Sequence, residues 1–97
     1  MGTITWTNEA QQWLEDIFEY IAIDDINAAS QVVGDIYERA QVLKDHPEIG
    51  YRYRVSARHV RILLYGHYRI TYLVKDSGDV EILGVFHGAL DISKYSI

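Results

Sequence analysis

The sequence predicts an α+β domain ordered β-α-α-β-β-β(-β), with a helical hairpin packed on one face of a small antiparallel sheet. Three observations carry this. Apolar residues recur at helical spacing through the first half of the chain. From residue 51 the period shortens to that of strands. The connections are short, which favours antiparallel neighbours. At 97 residues the chain fits one domain spanning 1–97.

Taking the elements in order, "TITW" (3–6) alternates polar and apolar residues and predicts a short strand. Thr7 is suited to cap the helix that follows, with Glu9 in its first turn complementing the helix dipole. Ala10, Trp13, Leu14, Ile17 and Ile21 form its apolar stripe, giving a helix over roughly 8–24. "DDINA" interrupts it, and Asp25 or Asn27 can cap a second helix with Ala29, Val32, Val33, Ile36, Ala40 and Leu43 on its stripe. "HPEIG" ends that helix, because proline cannot continue it and glycine permits the turn. Gly34 inside the second helix has no evident local purpose.

"YRYRV" (51–55), "RHVRILLY" (58–65), "YRITYLV" (68–74) and "VEILGVF" (80–86) predict four strands of a meander, with Gly66-His67 and "KDSGD" as turns. If Gly66-His67 is the whole loop, Tyr65 lies opposite Tyr68 and Arg61 opposite Tyr72. Leu63, Tyr65, Tyr68, Ile70 and Tyr72 then share one face, and Val60, Ile62, Leu64 and Leu73 the other. One helical hairpin can cover only one of two apolar faces. The second face therefore predicts a partner, unless the segment "DISKYSI" covers it in part.

Charge is unevenly spread. Residues 1–48 hold ten acids against two bases (−8), residues 49–75 hold six bases and no acid (+6), and residues 76–97 contribute −3, for a net −5. The pattern allows either a basic functional surface or arginines on the wet face of strands. A net negative body attracts phosphate poorly at long range, so direct nucleic-acid binding is not expected. There is no cysteine, no apolar run of membrane-spanning length and no secretory leader pattern. The Met-Gly start is a poor myristoylation signal beside a strand-like "TITW". A cytoplasmic protein is the expectation.

His46, His59, His67 and His87 sit on different elements without metal-ligand spacing, so neither a metal nor another cofactor is expected. No nucleophile elbow and no phosphate-binding glycine loop is present. A metal-free nuclease needs a base, an acid and cations for the developing phosphate charge, roles open to His87, Arg69, Arg61, Tyr72 and Tyr95. Tyrosine and arginine on a strand are more commonly packing and pairing residues.

Three segments, "HPEIGYR", "YGHYRITYLV" and "ILGVFHGALD", lie in a stretch from Trp6 to Asp91 that resembles the RelE/ParE toxin superfamily of type II toxin–antitoxin modules. The long helix pair is more similar to the ParE branch. The resemblance implies the same strand, helical hairpin and sheet, no cofactor, a cognate antitoxin whose disordered segment folds onto the toxin in a hetero-oligomer, and a role in plasmid stabilization. ParE-like members inhibit DNA gyrase; RelE-like members cleave translated mRNA on the ribosome. If the protein is an RNase, Arg69, His87 and Tyr95 would be the catalytic set; of these the RelE pattern implies Arg69, and Tyr95 with an offset of one residue. The paired lysines of that pattern fall near Ile62 and Leu64, and its second arginine, common also in ParE relatives, falls at Leu90. The lead expectation is therefore a non-enzymatic gyrase inhibitor. Arg61, Ile62, Leu64, Arg69, Leu73, His87 and Leu90 are the candidate antitoxin- or target-binding residues. The alternatives are an mRNA endonuclease, or a weakened relative that binds only its antitoxin.

Overall fold

A computed structural model of the chain describes residues 2–88 and residue 92. The elements are β1 (Ile4–Trp6), α1 (Asn8–Ala22), α2 (Ile26–Ala40), a 3-10 turn (Gln41–Lys44), β2 (Tyr51–Arg52), β3 (Val60–Tyr65), β4 (Tyr68–Val74) and β5 (Val80–His87). They form one five-stranded sheet, ordered β1-β5-β4-β3-β2, with two helices packed against it.

Thr7 ends β1 and starts α1 with one side chain. Its hydroxyl donates to the Ile82 carbonyl at 2.7 Å and accepts from the Ala10 amide at 3.1 Å, so the residue that closes the ladder also caps the helix. Asp25 caps α2 through the Asn27 and Ala28 amides at 3.0 and 3.1 Å. The first helix stops at Ala22, two residues short of the expected end, because the amides of Asp24 and Asp25 both turn back to the Ile21 carbonyl. The second regular helix stops at Ala40, and the apolar stripe continues to Leu43 as a tighter 3-10 turn.

The expected register holds from Val60↔Leu73 through Tyr65↔Tyr68. Gly66 has φ +56 and His67 does not share it, the sign pattern of a type II′ hairpin turn. One expectation is corrected. "YRYRV" is a strand only at Tyr51–Arg52. Beyond it the Ser56 hydroxyl captures the Arg58 amide at 3.2 Å, and this side-chain turn competes with the ladder. The first strand, whose pairing the sequence left open, runs parallel to β5 as an added edge, from Ile4↔Val80 to Trp6↔Ile82.

The main core lies between the hairpin and one sheet face. Ala10, Ile36, Ala40 and Leu43 meet Leu63, Ile70, Tyr72, Val80, Ile82 and Val85 there. The alanines let the helix backbones approach the sheet closely. A second, smaller cluster on the opposite face joins Ile62, Phe86 and Ile92, with Trp13 and Tyr53 against it. Trp13, partly buried, packs against both clusters. Pairing with β1 covers only Val80–Ile82 of β5. Past that point Trp13 meets Phe86 edge to face, with centroids 4.8 Å apart. Gly84 makes the room, since a Cβ there would stand 2.8 Å from the Phe86 ring.

Candidate functional site

The second sheet face is where the sequence places an unsatisfied apolar surface, and the structure divides it. Ile62 is 1% exposed beneath Ile92, Phe86 and Tyr53, so it is an interior residue rather than an accessible binding residue. Ile92, within the segment expected to cover this face in part, supplies that cover. Leu64 remains 54% exposed, and Leu73 is half-buried. Arg69, paired with Phe86, lies on this same face. Its Nη2 donates to the carbonyls of His87 and Gly88 at 3.4 Å each, where the chain leaves β5.

His87 is elsewhere. It pairs with Tyr68, which packs toward the helices, and its ring meets Tyr68 edge-on at 5.6 Å and lies 6.2 Å from the ring of His67. Arg69 and His87 are one step apart in the register and so point to opposite faces. The two side chains, both named for the RNase alternative, therefore do not share a sheet face. Tyr95 and Leu90 lie outside the described residues.

Arg61 is committed to structure. Nη1 donates to the carbonyls of Gly50 at 2.6 Å and Glu48 at 3.1 Å, and Nε donates to His59 Nε2 at 3.1 Å. The Tyr72 hydroxyl works beside it, donating to the Pro47 carbonyl at 2.7 Å and accepting from the Gly50 amide at 3.0 Å. Together they hold "HPEIG" as a corner whose backbone is tied to the sheet, with Gly50 buried and His46, Glu48 and Ile49 exposed. Burial pushes the Tyr72 hydroxyl above the ordinary tyrosine pKa. Tyr65 is raised too, first because its hydroxyl donates to Asp35 Oδ2 at 2.9 Å. Neither tyrosine is set up as a base.

The basic stretch therefore does not make one basic surface. Arg61 faces the helix side, Arg69 the opposite side, and Lys75 pairs with Glu81 at 2.8 Å. Arg54 and Arg58 are exposed on the loop after β2. Among the described residues no three histidine, aspartate or glutamate side chains converge as metal ligands. No helix among them is long and apolar enough to cross a membrane.

One feature escaped sequence reasoning. A groove of about 440 Å³ runs between α1 and the ends of β4 and β5, lined by Trp13, Asp16, Ile17, Tyr20, Tyr68 and His87 among others. Tyr20 is exposed at the end of this lining, and Ile23 and Ile26 are exposed at the hairpin tip that follows it in the chain. The available signal was that these three large apolar residues lie off the stripes that bury the helices.

Comparison with known proteins agrees with this architecture. The family model described as "ParE toxin of type II toxin-antitoxin system, parDE" matches residues 4–92. A Sinorhizobium fredii protein named "Putative toxin Y4kP" is 37% identical over 84 residues, covering 87% of this chain and 85% of its own length. Among solved structures, one described as a chromosomal ParDE toxin–antitoxin system from P. aeruginosa superposes with a TM-score of 0.75 at 23% identity, over 90% of this chain and 96% of that one. The RelBE2 toxin–antitoxin complex from Mycobacterium tuberculosis superposes with a TM-score of 0.69 at 22% identity, over 89% and 96%. By the match across nearly its whole length and the shared architecture, the chain belongs to the ParE family of type II toxin–antitoxin toxins.

Proposed function

We propose that this toxin acts by binding, as an inhibitor of DNA gyrase, and that a cognate antitoxin neutralises it in a hetero-oligomer in the cytoplasm. The observation that carries the reading is the ParE family match over residues 4–92. The site geometry supports it against the nuclease alternative. Phosphate cleavage needs an acid–base pair and cations converging on one point. Here Arg69 and His87 point to opposite faces, Arg61 is spent on two backbone carbonyls, and aliphatic Ile62 and Leu64 stand where the RelE pattern has lysines.

The antitoxin's docking strip in this reading is the open part of the second face: Leu64 opposite Arg69, and Leu73 four residues along β4 from that arginine, with an apolar segment covering the leucines. Purified toxin is expected to block gyrase supercoiling at micromolar concentration. Folded protein that leaves supercoiling untouched overturns the gyrase assignment, and antitoxin-suppressible cleavage of translated mRNA in primer extension would replace it with the endonuclease.

A specific residue favours a second reading, in which the toxin is attenuated and chiefly binds its antitoxin. The toxin-family resemblance implies an arginine at the position where this chain has Leu90. Under that reading Leu90→Arg deepens the growth defect on expression without antitoxin. An unchanged growth curve removes Leu90 as the cause of any weakness.

A further inference from the structure

We infer that the outer side of α1, from the Trp13 groove to the hairpin tip, is a docking surface for a basic amphipathic segment of a protein partner. Two independent observations meet there. The first is apolar. The groove beside α1 is open, and Tyr20 at the end of its lining and Ile23 and Ile26 at the hairpin tip stand at 78%, 81% and 62% exposure. From Trp13 to Ile23 the surface runs ~15 Å at the helical rise, about three turns of a bound helix.

The second is electrostatic. α1 carries Glu9, Glu15, Asp16 and Glu19 and no basic residue. Glu15 and Glu19 form a like-charged pair one turn apart, which destabilises a helix, and Glu19 stands in the last turn, where the dipole disfavours an acid. Asp24 and Asp25 add two more acids at the tip, Asp25 being occupied in capping α2. Among the described residues no cation pairs with any of these acids; Asp16 accepts only from the Gln12 amide group at 2.9 Å. A sequence that breaks two local helix rules without a local compensation marks a place where the compensation comes from elsewhere. Lysine or arginine flanking apolar anchors supplies it, neutralising the acids while the anchors enter the groove.

This surface is distinct from the strip around Arg69, which lies on the other side of the sheet, so the inference stands whether or not the gyrase assignment does. The probes are two labelled model helices with one apolar pattern, one built of leucine and lysine, the other of leucine and glutamate. Anisotropy with the full chain is expected to show the lysine helix binding at least about tenfold more tightly. Tyr20→Ser, at an exposed position that folding does not need, is expected to weaken it by about tenfold. Glu15→Lys/Glu19→Lys is expected to abolish the preference. Asp45→Lys/Glu48→Lys, the same charge change on a loop away from α1, is expected to leave it. Equal losses in both charge-reversed variants would mean net charge alone, and overturn the site. So would no binding of the lysine helix, or a Tyr20-dependent self-association in sedimentation that makes a second copy the occupant.

Discussion

Arg61 and Gly50 show how a single residue can look functional in the sequence and be structural in the molecule. Arg61 sits in a basic run opposite Tyr72, a pairing legible from the hairpin register. Its destination was not legible, because the carbonyls it holds come from a loop eleven and thirteen residues earlier. Arg61→Ala is expected to cost about 1.5–3 kcal/mol in a denaturant melt, as loss of hydrogen bonds from a charged donor at a half-buried site. Gly50 is fixed by the same corner. A Cβ there would stand 2.6 Å from the Ile62 carbonyl and 2.7 Å from the Tyr72 hydroxyl. Gly50→Ala is expected to cost about 1–3 kcal/mol as overpacking in the same melt. His87 taught the converse: its strand position was readable, but the face it takes depends on its partner across the ladder.

Helices and the central hairpin were the most legible elements, since their stripes, caps and turn glycine are all local signals. The places where reading stopped short or failed are those decided by contacts distant in sequence or by short-range competition, namely the parallel docking of β1 and the early end of β2. Gly34 is the element-scale anomaly in α2. Nothing lies within 4 Å of a Cβ built on it, and its φ is ordinary for a helix. Gly34→Ala is expected to raise stability by about 0.5–1 kcal/mol, read as an upward shift in Tm, unless a partner needs close approach there, in which case binding falls as stability rises.

β1 offers a pH test. Asp79 accepts from the Thr3 amide at 2.9 Å, the Thr3 hydroxyl at 3.1 Å and the Ser77 hydroxyl at 3.0 Å. These bonds, the Thr3 amide first, hold its carboxyl below the ordinary aspartate value. A lowered folded pKa means stability present in full above about pH 4 and lost as pH falls through the folded value. Protection of the β1 amides in hydrogen exchange is expected to fall over that acid window in the wild type. Asp79→Asn is expected to flatten the response.

For the molecule as a whole, burial and pairing concentrate on β4 and β5, which share the core with α1, α2 and the 3-10 turn. The amides of Ile70, Tyr72, Ile82 and Val85, whose side chains are all buried, are expected to exchange only on global unfolding. Those of residues 54–59, on the loop between β2 and β3, are expected to exchange far faster. Uniform protection across both sets would contradict the packing described. The fold class and the two-faced sheet could be foreseen because one hairpin cannot cover two apolar faces. The segment that closes part of the second face was named in the sequence as one of two alternatives; that Ile92 is the residue that meets Ile62, thirty residues away, was not legible.

The parallel seam between the first and fifth strands has a further consequence, in time rather than in space. Thr3 finds Asp79 across 76 residues, so no bond of that seam can form until nearly the whole domain has been synthesised. The strand made first waits longest for its partner. Helices and hairpin can assemble as they emerge, but the toxin's sheet closes late. A cell making this protein therefore has an interval in which a partner can meet the chain before its sheet is closed.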